Sequence, residues 1–401
     1  MKDRIFWNMR IRNPFKRYTI RTLAVVVCCL GCACANIGAT PASPADEACS
    51  RPVISSPSHA TRFRITAKEG RNVLSIDMGE SGVAENHWLL VGRDQPLPDN
   101  NRMPVLRIPL KRVALLSTTF LAHFSALHAT DTICAVDNAA YAFDAGVRER
   151  IQNGSIPEIG EMDTLDMETV IHLRPDAIFV SAGMGGAPGR RERLAKLGIP
   201  VIEIPDFLEP HPLGRAEWIK LFGLLLDRSD VASKHFDAVS SRYKSIRAAA
   251  AAIPPAKRPT VLLHSPFQGL WHLPSGDSYA ARLLNDAGGK YLFPELKAHG
   301  ARPFDFEWVI AHARHADIWM QIDASSLKAF GALDPRFTQF DAYQSQQVYS
   351  HFKRTNASGG NDFYESGVIH PERILEDLFS IFSNWPDTVP EDSLHYFMRL
   401  H

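Results

Sequence analysis

Two glutamates, Glu168 and Glu307, hold the same place in a phrase that occurs twice. It reads Leu165-Asp166-Met167-Glu168 and, about 140 residues later, Phe304-Asp305-Phe306-Glu307. In each copy the Asp is placed to cap a helix, and the Glu falls in the first turn, where the positive end of the helix dipole favours a carboxylate. An exposed carboxylate there forms charge-assisted hydrogen bonds with a cation on its own chain or on a partner. As helix-start acids alone, both would be purely structural. Each helix leads into an apolar strand, Ala177 to Val180 in the first copy and Ile318 to Ile322 in the second. One α/β unit is therefore used twice, the second copy about one residue longer before its strand.

Other residue types that do chemistry are present without the spacing that catalysis needs. Sixteen histidines raise the question of a metal site, with His312 near His315 and His264 near His272. Neither pair has the H-E-x-x-H form, and His312 with His315 fits a solvated helix face. No G-x-S-x-G elbow, P-loop or Cys-His pair stands out. The turn Ser181-Ala182-Gly183-Met184-Gly185-Gly186 lacks the G-x-G-x-x-G of a dinucleotide site. The expectation is a protein that is no enzyme and has no cofactor or metal of its own.

The positioning elements follow from hydrophobic pattern. Val113-Ala114-Leu115-Leu116 is a strand that runs into Ser117-Thr118-Thr119 and a helix, Phe120 to Leu127. Hydroxyls thus collect at a strand's carboxyl end, the edge where open α/β sheets bind ligands. From Leu213 to Ile253 the pattern is helical almost without a break, and Ser229 with Asp230 offers a second helix start. From Asp230 to Ala252 such a helix spans roughly 34 Å, enough to join two lobes. A second strand, Thr260 to Leu263, opens another series of strands and helices. Alternation on both sides implies an α/β fold of two Rossmann-like three-layer lobes joined by a long helix. Before them, Phe63 to Ile65, Val73 to Ile76 and Trp88 to Val91 read as a small antiparallel sheet.

Length and charge agree. The chain has 401 residues, 45% hydrophobic and 22% charged, with 44 basic residues against 44 acidic ones. Zero net charge gives no reason to expect a nucleic-acid partner. Arg10, Arg12, Lys16, Arg17 and Arg21 precede the apolar stretch Leu23 to Gly31, which is too short for a stable membrane anchor and has the form of an export signal. Cleavage after Ala35 fits the A-x-A pattern. Cleavage before Cys32 leaves a cysteine for lipidation, although Leu30 sits one place closer than the usual lipoprotein signal prefers. Either route puts the mature chain outside the cytoplasm, in the periplasm or on the outer side of the cytoplasmic membrane, soluble or lipid-anchored. Four of the six cysteines lie in this leader. Cys49 and Cys134 remain, and an oxidising compartment permits them to pair. The expected divisions are a signal peptide, 1–35; a flexible tether, 36–50; a β extension, 51–109; a first lobe, 110–212; a helical connector, 213–256; and a second lobe with a C-terminal helix, 257–401.

Together with Pro212-Leu213-Gly214-Arg215-Ala216-Glu217-Trp218-Ile219-Lys220 and Leu283-Leu284-Asn285-Asp286-Ala287-Gly288-Gly289, the repeated phrases resemble the substrate-binding proteins of ABC importers. More narrowly, they look like the class that delivers iron siderophores, heme and vitamin B12. The resemblance covers about residues 105 to 385 and rests on the order and spacing of the phrases. It implies a monomeric carrier for a small iron or cobalt complex, with a membrane permease and its ATPase as partners. By position, Glu168 and Glu307 are the residues that meet arginines on the permease. It also implies a ligand between the lobes. Ser117, Thr118, Asp137, Asn138, Tyr141 and Met184 are the first lobe's candidates, and Trp271, Ser275, Arg302, Gln321, Asn361 and Tyr364 the second's. Arg302 is favoured for gripping an anionic ligand. Each has a structural alternative: Trp271 as core, Asn361 as a turn residue, Tyr141 as a packing aromatic. The alternatives for the whole chain are a direct divalent-metal binder, which needs His and acidic ligands from both lobes, and a surface lipoprotein scaffold that does not transport.

Overall fold

The computed structural model describes residues 57–68, 71–79, 85–99, 101–297 and 300–401. The signal, the tether, Cys32 and Cys49 lie outside these residues, and Cys134 is buried without a disulfide among them. A four-stranded sheet comes first, in the order β1 (Phe63–Lys68), β2 (Arg71–Ile76), β3 (Asn86–Gly92) and β4 (Val105–Ile108). The first two pairings are antiparallel, while β4 runs parallel to β3.

The first lobe contains β5 (Val113–Leu116), α1 (Leu121–Ala126), β6 (Ile133–Val136), α2 (Ala145–Gln152), α3 (Met167–Leu173), β7 (Ala177–Ser181), α4 (Pro188–Lys196) and β8 (Val201–Ile204). Its sheet is parallel throughout, in the order β6-β5-β7-β8. Both faces are covered, which is why its strands are unbroken apolar runs. Val113 and Leu115 point into the main core with α1, whereas Ala114 and Leu116 join Val170 of α3 and Leu194 of α4 in a second cluster.

The connector is two helices, α5 (Pro212–Leu225) and α6 (Ser229–Ala251), not one strut. Asp227, in a left-handed conformation, turns the chain between them. They pack closely because residue 223 is glycine: a Cβ there would stand 2.5 Å from the Ala232 Cβ. Helix α6 alone, at 23 residues, reaches the length expected of the connector, roughly 34 Å.

Helix α5 is buried on nearly every side, including Leu213, Ala216, Trp218, Ile219, Leu221, Phe222 and Leu225. This explains the N-terminal sheet, which covers it: the Phe63 and Trp218 rings lie 4.8 Å apart. Two buried carboxylates fix that cover. Glu217 accepts from the amides of Ser58, His59 and Ala60 at 2.7–3.0 Å and from Lys220 Nζ at 2.8 Å. Glu209 accepts from the Thr61 and Arg62 amides and from Trp218 Nε1. A buried carboxylate is tolerated only with such partners. Burial alone would raise the Glu217 pKa, but Lys220 and the three amides outweigh it and hold the carboxyl below its usual range.

The second lobe contains β9 (Thr260–Leu263), β10 (Trp271–Pro274), α7 (Tyr279–Asp286), β11 (Lys290–Tyr291), β12 (Ala301–Phe304), α8 (Phe306–Ala313), β13 (Ile318–Ile322), α9 (Leu327–Leu333), α10 (Asp341–Gln344), β14 (Val348–Ser350), α11 (Ser366–Ile369), α12 (Pro371–Asn384) and β15 (Met398–Arg399). Its main sheet has the order β11-β9-β13-β14-β15, parallel except for the last strand. Strands β10 and β12 form a separate antiparallel pair. Helix α12 packs along α6, and α1 of the first lobe meets α11 through Ala122, Val368 and Ile369. The duplicated unit is visible in the sheets: α3 precedes β7, which pairs with β5, as α8 precedes β13, which pairs with β9.

Candidate ligand cleft and docking face

The carboxyl ends of the first lobe's strands carry six of the residues expected to meet a ligand. Ser117 follows β5 and caps the turn Thr118–Phe120, its hydroxyl 2.8 Å from Thr119 Oγ1. Thr118 is half-buried beside it. Asp137 follows β6, and its Oδ1 accepts from the Asn138 amide at 2.8 Å. Burial pushes its carboxyl up to about 6, against the pull of the Asn138 amide and its own, with Glu161 and Glu158 adding to the rise. Asn138 caps the next turn by accepting from the Ala140 amide, and Tyr141 ends that turn half-buried. Met184, after β7, is 44% exposed.

On the second lobe the carboxyl ends form a connected polar network. His264 follows β9, Gln321 lies at the end of β13, and both have left-handed backbones, φ 63° and 60°. For such residues this conformation costs about 1–2 kcal/mol each. Their side chains meet, His264 Nε2 to Gln321 Oε1, at 2.8 Å. His351 follows β14 and is buried. Burial, reinforced by His264, pulls its pKa down to about 3, so the ring is neutral, and its Nε2 is hydrogen-bonded to the Tyr364 hydroxyl at 2.8 Å. Tyr364 is 44% exposed overall, with its hydroxyl engaged by His351. Burial, together with Asp323, pushes that hydroxyl's pKa up to about 12, with Arg215 working against the rise. Asn361 donates to the His351 carbonyl and accepts from the Phe363 amide, so it holds the turn that presents Tyr364.

The two edges meet directly. Glu365 accepts from the amides of Phe143 at 2.7 Å and Asp144 at 2.8 Å. Burial pushes its carboxyl up to about 8, against those two amides. Asn356 donates to the Ala142 carbonyl at 2.8 Å, and the Arg354 guanidinium stands 5.3 Å from the Phe143 ring centre. Glycine is needed at 360, where a Cβ would come within 2.6 Å of the Tyr141 carbonyl oxygen. Exposed apolar side chains stand on loops that follow these strands: Met184 after β7, Phe207 after β8, Phe267 and Leu270 after β9, and Tyr364 after β14.

The remaining three second-lobe candidates lie on or beside β10 and β12. Trp271 is core: it is fully buried, its indole donates to the Leu263 carbonyl, and it stacks on Trp319 at 5.4 Å. Ser275 is also buried and is hydrogen-bonded to Asp277. Arg302 lies on β12 with its guanidinium 5.3 Å from the Phe304 ring centre, in a depression of about 470 Å³ that also involves Leu270, Pro303, Asp305 and Trp308. The sequence passed over Arg215, His351 and Glu365, and weighed His264 only as a metal ligand beside His272. Arg215 stood inside one of the recognised phrases, where its place in a helix pattern hid its position between the lobes.

The repeated Asp caps its helix in both lobes. Asp166 accepts from the Glu168 and Thr169 amides, and Asp305 from the Trp308 amide. Glu168 is exposed in the first turn of α3. Glu307 is 75% exposed in α8 and paired with Arg336 at 3.0 Å. His312 Nδ1 lies 2.7 Å from the Trp308 carbonyl and His315 Nδ1 2.8 Å from Asp341. No group of three metal-ligating side chains is assembled among the described residues.

Comparison with known proteins places this architecture. An uncharacterized lipoprotein of Methanocaldococcus jannaschii is 22% identical over 329 residues, 78% of this chain and 75% of its own length. A heme-binding periplasmic protein of Pseudomonas aeruginosa has a similar structure, with a TM-score of 0.54 at 18% identity over 73% of this chain and 98% of its own. A possible iron-binding periplasmic solute-binding protein of Staphylococcus epidermidis also scores 0.54, at 17% identity over 70% of this chain and 100% of its own. At these identities the likeness is one of fold. The family model described as periplasmic binding protein matches residues 113–354, from the first strand of the first lobe to the segment after β14, and the chain belongs to that family.

Proposed function

We propose that this protein is the extracytoplasmic solute-binding component of an ABC importer, and that it captures a ferric siderophore, heme or cobalamin-type complex between its lobes. The observation that carries the ligand class is a set of exposed apolar side chains on loops after the strands of both lobes: Met184, Phe207, Phe267, Leu270 and Tyr364. A free sugar or amino acid would leave such side chains wet. A chelate or macrocycle with a broad apolar face covers them, and each of these side chains, already more than half covered, contributes up to about 1 kcal/mol. Half-buried polar groups on the same loops, Thr118, Asn138 and Gln321, are suited to orienting the cargo.

Delivery is assigned to the two helix starts. Glu168 and Glu307, one on each lobe, are positioned to meet cations on the permease, whose ATPase drives transport. Exposed pairs contribute about 0–1 kcal/mol each, so their role is register more than tight binding. Glu307 must exchange Arg336 for its partner on the permease. The test is double charge reversal, Glu168→Arg with Glu307→Arg, in a cell that depends on this carrier. Ligand affinity should be unchanged and uptake abolished; normal uptake would end the docking assignment.

A further inference from the structure

Arg215 is the fourth residue of α5, where the connector meets both lobes. Its Nε donates to Asp206 Oδ2 at 2.9 Å, and Asp206, on the loop after β8, is only 2% exposed. On the other side the guanidinium carbon stands 5.8 Å from the centre of the Tyr279 ring, at the first residue of α7. One guanidinium is thus bordered by a carboxylate of the first lobe and the Tyr279 ring of the second, with Tyr364 within its electrostatic reach.

Only the Nε edge is used. Neither Nη group has a hydrogen-bond partner among the described residues, and neither is among the sealed, unpartnered atoms, because the side chain retains 18% exposure. The Tyr279 hydroxyl is in the same position, without a partner and not sealed. Desolvating a cation is costly, and Asp206 offsets much of that cost while leaving the paired N–H groups of Nη1 and Nη2 unused. A planar carboxylate accepts two parallel hydrogen bonds from that edge. Asp323 also faces Tyr364, and Glu372 faces Tyr279, so added negative charge is tolerated only sparingly. A singly charged carboxylate suits the site better than a phosphate-type dianion.

We infer that Arg215, beside Tyr279, is an anion subsite that holds a carboxylate of the bound cargo. The inference rests on the proposed carrier function and narrows it to carboxylate-bearing ligands, either a porphyrin with acid side chains or a carboxylate-type ferric chelate. Neutral trihydroxamate chelates lack the group this site would grip.

The test titrates four probes, hemin, hemin dimethyl ester, ferric citrate and ferrioxamine, into the full mature chain and two variants. Asp206→Asn with Arg215→Gln removes both charges together, so that no lone carboxylate is left buried. Arg215→Lys keeps the charge but loses the fork. A bidentate charged pair corresponds to a loss of about ten- to a hundredfold on removal. Hemin should bind at least about tenfold tighter than its ester, or ferric citrate tighter than ferrioxamine by the same margin. The double variant should lose that advantage without a matching fall in melting temperature, and Arg215→Lys should be intermediate. Whichever carboxylate probe binds identifies the source of the group. Equal binding of ester and acid, or full affinity in the double variant, would overturn the subsite while leaving the carrier function intact. Binding of none of the four by the wild type, with cobalamin binding in parallel, would overturn the subsite alone; no binding of cobalamin either would overturn both.

Discussion

Glu365 carries both its oxygens across the gap, to the amides of Phe143 and Asp144. Glu365→Ala should lower unfolding stability by about 1–3 kcal/mol, the cost of leaving buried donors unpaired, and should speed ligand release. Urea denaturation and stopped-flow dissociation measure the two effects. A second residue-scale prediction concerns pH. His123 is fully buried with both ring nitrogens unpartnered; burial, helped by His235 and Arg215, pulls its pKa from 6.5 down to about 3. The unfolded chain therefore binds a proton that the folded chain refuses. The corresponding stability is present above pH 6.5 and declines as pH falls toward 3, by up to about 1.4 kcal/mol per pH unit. His123→Phe, beside the Phe222 ring 4.7 Å away, should flatten the acid limb of a stability-versus-pH curve. An unchanged limb would show that His123 is hydrated in solution. Such roles were closed to sequence reading because partners more than 200 residues apart leave no local pattern. Trp271, which the sequence left open between ligand contact and core, is enclosed against Trp319, a packing between distant residues that leaves no local pattern.

At the scale of elements, the two-helix connector is the feature most open to a single substitution. Gly223→Val places methyl groups where a Cβ alone already comes within 2.5 Å of Ala232. Overpacking of this kind costs about 1–3 kcal/mol, and the melting temperature should fall without a change in the number of ligands bound. The strands were legible from apolar runs such as Val113 to Leu116 because a parallel sheet covered on both faces needs them. The helix break was marked only by Ser229 and Asp230, since apolar residues continue across it. The N-terminal sheet could be drawn but not explained. Its purpose depends on α5 being buried on nearly every side, and on Glu209 and Glu217 meeting a segment about 150 residues earlier.

Across the whole molecule, duplication was the most legible property, because the Asp-x-Glu phrase is set by local helix capping and survives in both lobes. The proposed binding surface was the least legible, since it is assembled from loop tips of separate strands. Met184 and Tyr364 stand on exposed loops of the two lobes, Arg302 shares a depression with Leu270, and Arg215 lies between Asp206 and Tyr279. The central claim is that this surface holds one metal complex per chain. Its most direct measurement is tryptophan fluorescence of the mature protein during titration with hemin, cobalamin and ferric siderophores. Saturable quenching by at least one of them, complete near one ligand per chain, is the predicted result; no response to any of them at concentrations well above those of a functional carrier would contradict it.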